Sequence, residues 1–392
     1  MHLWHLWHLW KRRLLLSVFL LAGGAAAIRL VHAGWSYGLD FGVYWKATHT
    51  WAFEHLSPYL FDPSDQGFVF KYPPWILPLF YPFGWVSLET GKILWGLLEL
   101  ASLAAASLWL FRAGIRLRIL LLVNILFWWI WLGHFYFGQL TLLLLASALW
   151  AVPPKGETFK TIRLAALAAL FSAKIFSLVS LLGFGERVFR LRFIAATLGW
   201  IAGLSAVTAL LFLLHGVDVS PWTLLLQWVH SASSGGAELG NDIVRGQMNH
   251  GFTAGILRWL EVPATVVWAD FVVFGILFAG FGSLWGFFSK KLRFQERWAG
   301  WLALGVIVHP LAWHHSFVLT FPLCAFALDK SLSSGSRGLI ILSALGTCCI
   351  GILIPNIFGL TLITPLELLS VKSWGVCLCA LALLRAEQVA TR

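Results

Sequence analysis

The chain has 392 residues, 59% of them hydrophobic and only 11% charged, with a formal charge of +11. A soluble domain carries about 25% charged residues, so this composition excludes an enzyme with water on every face. The apolar runs are long and unbroken, which excludes the alternating strands of a β-barrel. The basic residues stand in short clusters between those runs, which argues for positive loops on the inner side of a membrane and against a nucleic-acid partner.

At roughly 20 apolar residues per crossing, the expected fold is an all-α polytopic membrane protein with about 11–13 transmembrane helices. One transmembrane domain is expected over residues 14–384. A cytoplasmic or interfacial segment, 1–13, precedes it and a cytoplasmic tail, 385–392, follows. His2-Leu3-Trp4 occurs three times before Lys11 and shows neither helical period nor a cleavage pattern. The first span, Leu14 to Gly34, has Lys11-Arg12-Arg13 on its inner flank, so the segment after it lies outside. Arg29 reaches the interface from the outer end of that span.

That outer segment, Gly38 to Pro73, holds Asp40, Glu54, Asp62 and Asp65, four of the chain's 17 acidic residues. It closes on Lys71-Tyr72-Pro73-Pro74. A carboxylate beside aromatics and just beyond a membrane span meets water, a sugar or an ion there. Asp40 suits a general base that accepts a hydroxyl proton late in bond formation, or it is simply solvated. Asp62 and Asp65 do not form a metal-binding pair.

Tyr72 to Ser87 is apolar but short, and Pro73, Pro74, Pro78 and Pro82 interrupt it. If it dips into the bilayer and returns, every later basic loop falls inside; irregular backbone at that depth needs cover from protein or a watery cavity. Further spans are expected at Ile93–Phe111, Ile119–Phe137, Leu140–Val152, Phe193–Leu214, Ala264–Phe288, Leu339–Ile354 and Leu366–Leu384. Two more are broken, one around Lys174 and one around His309–His315. Half-helices meeting at a polar break commonly build a site in a bilayer.

A lysine at the centre of a full span costs about 2.5–3.5 kcal/mol. Lys174 therefore either sits at a break, offering its ammonium to a phosphate, or snorkels. Pro310 breaks the second run among three imidazoles, His309, His314 and His315. These contact a phosphate, bind a metal or serve structure; His314 and His315, about 100° apart on a helix, chelate poorly together. Gln139 and Asn249 either hydrogen-bond a hexose or cap helices. His134 and Arg258 join the same set of polar residues. Ser231 to Gly236 reads as a mobile loop or an ordinary linker. The 24 tryptophans serve lipid anchoring and core packing, with some available for sugar stacking. All five cysteines lie in apolar segments, and no disulfide framework is expected. No internal repeat is evident.

Taken in order, these residues resemble glycosyltransferase family 87, whose fold is called GT-C. The resemblance rests on Asp40-Phe41 with Tyr44-Trp45, Ser57-Pro58-Tyr59, Lys71-Tyr72-Pro73-Pro74 with Pro78 and Pro82, and Lys92 with Trp95. It continues in Gly138-Gln139, Lys174, Asn249-His250-Gly251 with Arg258, and His309-Pro310 with Trp313-His314-His315. It runs from Tyr37 to about Leu328. The chain departs from the family at Ile175, where proline is frequent, at His250-Gly251, where Gln-Ser is frequent, and at His309, where serine is frequent.

The resemblance implies an inverting transferase that moves a hexose, mannose foremost, from a polyprenyl-phosphate donor to a lipid or glycan acceptor. No cofactor is implied. Asp40 is the implied base. Lys174, His314, His315 and Arg258 are the implied phosphate contacts, and Tyr44, Tyr72, Gln139, Asn249, His309 and Trp313 the implied sugar and acceptor contacts. The expected location is the bacterial inner membrane, among membrane lipids, with the site on the outer face. A lipid-linked sugar transporter and a non-catalytic assembly protein of the same fold are the alternatives.

Overall fold

A computed structural model describes residues 17, 21–59, 70–153, 160–238 and 241–390. The His-Leu-Trp repeat, the Lys11-Arg12-Arg13 flank and the Asp62–Asp65 stretch lie outside the described residues. Among the described residues the chain is helical throughout, with no strand and one isolated antiparallel bridge, Asn249 to Trp313.

The chain is a multi-pass membrane protein by the length and apolarity of its helices. Four among the described residues are long and apolar enough to cross: Leu88–Arg112, Leu191–Leu214, Val267–Lys291 and His314–Ser334. Two bent pairs raise the number to six: Leu117–Leu126 with Trp128–Phe137, bent by 59°, and Leu360–Leu368 with Val371–Val389, bent by 66°. The apolar helices Thr141–Ala151, Thr161–Phe171 and Arg337–Gly351 are shorter. Where about 11–13 crossings were expected, whole helices account for fewer, because several apolar runs divide at breaks rather than continuing through.

Leu191–Leu214 buries only Phe193, Thr208 and Phe212 along its length. Val267–Phe288 leaves Trp268, Phe271, Ile276 and Phe287 exposed. Apolar faces of that extent are stable against hydrocarbon, not water. Phe294–Val308 and Phe321–Ser334, by contrast, are buried along most of their length and form the centre of the bundle. In lipid, close packing rather than water exclusion brings helices together. Arg337–Gly351 and Val371–Ala390 show this where Gly346 faces Gly375: a Cβ added at Gly346 would stand 2.7 Å from the Gly375 carbonyl oxygen.

The proline-rich stretch holds no helix long enough to cross on its own. Its longest helix is the six-residue 3₁₀ turn Pro74–Leu79, which at roughly 2 Å per residue covers about 12 Å of a hydrocarbon core about 30 Å thick. Pro78 prevents its continuation as an α-helix. Helix Leu191–Leu214 covers it, and Thr208 donates to the Pro74 carbonyl at 3.0 Å.

Residues 231–236 are not a loop. They continue the helix Pro221–Glu238. Docking overrides their small-residue composition: Trp228 Nε1 donates to the Lys71 carbonyl at 3.0 Å and Ser231 Oγ to the Phe70 carbonyl at 2.9 Å.

Candidate functional site

A helix over residues 21–36 gives way to a second, Leu39–Phe53, across Gly38. Gly38 adopts φ 54°, a left-handed conformation open to glycine at little cost. Its N–H donates to the Tyr136 carbonyl at 3.0 Å, which seats the turn against the end of helix Trp128–Phe137. That helix itself ends at Gly138 with φ 66°, where a Cβ would lie 2.9 Å from the Cβ of Phe41. Two glycine turns thus meet, and the closeness they permit puts Asp40 and Gln139 on neighbouring elements.

Asp40 stands in the first turn of its helix, where unpaired N–H groups favour a carboxylate. It is half-buried. Burial pushes its carboxyl up to about 6, and the Lys174 ammonium nearby opposes that rise. Tyr44 lies one turn further along the same face. Its hydroxyl is 3.0 Å from that of Tyr72, and its ring stacks on Phe80 at 4.5 Å. Burial keeps both phenols protonated well beyond their usual range, and the Asp40 charge adds to the effect. Tyr59 fixes the segment by donating its hydroxyl to the Tyr72 carbonyl at 2.6 Å.

Lys174 arrives from the opposite side. Helix Thr161–Phe171 stops three residues before it, and Trp75 Nε1 holds the stop by donating to Ser172 Oγ at 2.8 Å. Lys174 Nζ donates to Gln139 Oε1 at 2.5 Å and to Thr141 Oγ1 at 2.8 Å. Its charge also reaches His134, His309 and His315. The arrangement joins a carboxylate, an ammonium, two phenols and a ring of imidazoles and amide, enough to take a proton at one end and hold an anion at the other. Among the described residues no three His, Cys, Asp or Glu side chains converge as a metal-binding group.

Asp40, Tyr44, Tyr72, Gln139, Lys174, His309 and His315 therefore come together. Three other expected site residues spend polar groups elsewhere, and a fourth, Trp313, stands at the edge of the cluster. Asn249 is fully buried; its amide donates to the Val244 and Pro310 carbonyls and its carbonyl accepts from Gly251 and Ala312. All its polar capacity goes to clamping backbone, leaving none for a sugar. Arg258 directs three of its N–H groups to the carbonyls of Arg245, Gly246 and Leu368. His314 turns away, with Nε2 3.1 Å from the Trp129 carbonyl and its ring near His250. Trp313 meets the cluster through its ring, 5.7 Å from His315.

Three participants escaped the sequence reading. Thr141 and Ser172 gave no signal, being hydroxyls in apolar runs. Glu99 did give one: it is a carboxylate within Leu88–Arg112, 3.1 Å from His134 and just 1% exposed.

Compared with protein-family profiles, curated proteins and solved structures, the chain finds no significant match.

Proposed function

We propose that the protein is an inverting membrane glycosyltransferase of the GT-C type. It takes a hexose, mannose foremost, from a polyprenyl-phosphate donor and passes it to a lipid or glycan hydroxyl. The observation that carries this reading is the meeting of Asp40, the Tyr44–Tyr72 pair and Lys174, with the Lys174 ammonium seated on Gln139 and Thr141. The site lies on the extracytoplasmic side of a bacterial inner membrane, an orientation supported by the basic cluster ahead of the first helix.

The acceptor oxygen attacks the anomeric carbon on the face opposite the phosphate. As the new C–O bond forms, the hydroxyl proton passes to Asp40 and the bond to the phosphate oxygen breaks. The leaving group departs as polyprenyl phosphate against Lys174, with His315 and His309 at its side. Cations fixed in advance where negative charge develops supply the largest protein contribution. One carboxylate within reach of one ammonium suits this division of labour, since the first must accept a proton while the second stays charged.

Sealed vesicles holding the protein, fed radiolabelled polyprenyl-phosphate mannose, test the reading. A transferase converts the label into a new glycoside. A transporter moves the label across the bilayer without a new bond, and an assembly protein does neither.

A further inference from the structure

Helix Leu191–Leu214, the turn Pro74–Leu79 and the start of helix Pro221–Glu238 enclose a groove of about 380 Å³. Phe212, Val217 and Leu224 are buried at its floor, while Ala209 and Leu213 are exposed and leave it open along the C-terminal half of the first helix. In a bilayer hydrocarbon fills such a groove, and its surroundings select which.

One wall is shared with the candidate site. Trp75 lines the groove, and its Nε1 donates to Ser172 Oγ at 2.8 Å, two residues before Lys174. Pro74, on the same wall, is two residues from Tyr72, whose hydroxyl meets that of Tyr44. Little polar capacity faces the groove. The Thr208 hydroxyl goes to the Pro74 and Leu204 carbonyls, both at 3.0 Å, and Ser205 adds one more hydroxyl.

A glycerophospholipid sets ester groups between its phosphate and its chains, and esters buried without donors are costly. A prenyl phosphate carries its chain directly on a phosphate oxygen, so hydrocarbon begins at once and needs only apolar walls. The groove has room for about a dozen carbon atoms at roughly 30 Å³ each, a water's share of liquid volume, which is two or three isoprene units.

The geometry points to this groove as the seat of the first isoprene units of a prenyl phosphate whose phosphate rests at Lys174. Trp75 stands at the junction, its ring against the chain and its N–H on the break that carries the lysine. Dependence on the transferase reading is confined to the class of donor.

The test uses the full-length protein in nanodiscs of phosphatidylethanolamine and phosphatidylglycerol. The probe is farnesyl phosphate bearing a diazirine on its last isoprene unit. After irradiation, mass spectrometry should find the label on Phe212, Leu213 or Leu224. An excess of unlabelled polyprenyl phosphate should remove it, and the same excess of phosphatidic acid should not. Lys174→Met should lower labelling at least about tenfold, as loss of a charge-assisted contact does. Ala209→Trp fills the mouth from an exposed position and should lower it about tenfold, the equivalent of about two displaced methylenes, with the melting temperature unchanged.

Label that phosphatidic acid removes equally well would mark an ordinary lipid contact and overturn the proposal. So would label that falls outside the groove, or that persists there in Lys174→Met or in a folded Ala209→Trp. Should either variant fail to fold, the competition between the two lipids decides alone. Labelling needs no turnover. A wild type that takes the label but transfers no sugar counts against the transferase reading only, and an active wild type labelled elsewhere counts against the groove only.

Discussion

Asp40 and Lys174 lie within electrostatic reach of each other, the carboxylate at the start of one helix and the ammonium beyond the end of another. Each offsets part of the other's cost of burial. Burial alone favours a protonated Asp40; the lysine beside it pulls the equilibrium back, so that the carboxylate persists at neutral pH. A base poised near 6 is a better proton acceptor than one near its ordinary value of about 4.

The pH dependence follows from that raised value. Asp40 must be ionised to accept a proton, and it is half-protonated at about 6. Transfer should be close to full near pH 7 and, below 6, fall about tenfold for each unit of acidity. A pH–rate profile at saturating donor checks this. An acid limb near 4 would mean that Asp40 sits as an ordinary solvated carboxylate.

Lys174→Met should slow transfer by about 10²–10³, in line with loss of one pre-placed electrostatic contact. It should also move the acid limb of any residual activity upward, because Asp40 loses a neighbour that opposes the effect of burial. Residual rates measured from pH 5 to 8 read both effects. A limb that stays in place would separate the two residues.

Asn249→Ala removes four backbone contacts and leaves buried donors and acceptors empty. The expected loss is about 2–4 kcal/mol of stability, seen as a lower melting temperature in detergent, with donor KM unchanged in the folded fraction. Arg258→Ala should act in the same direction through its three carbonyl partners. A raised donor KM without loss of stability would return either residue to the substrate site.

The class of fold was legible because lipid demands long apolar helices. Asp40, Tyr72, Gln139 and Lys174 were legible for a related reason: a polar group where apolar residues are cheaper draws notice. The roles of Asn249 and Arg258 were not, since a residue type states what a side chain can bond but not which carbonyls lie within its reach. His314 and His315 part company because they begin a 3₁₀ turn, in which neighbours point about 120° apart; only His315 faces the lysine. The helix Pro221–Glu238 hid behind serines and glycines because its support comes from distant residues, among them Lys71 and Phe70.

The most direct measurement is glycoside formation by the purified, reconstituted protein and its Asp40→Asn variant, with labelled polyprenyl-phosphate mannose and a crude lipid and glycan extract as acceptor. The wild type should form a product of anomeric configuration opposite to that of the donor. The variant, present in equal amount and equally heat-stable, should form none above background. Equal product from both proteins would contradict the account.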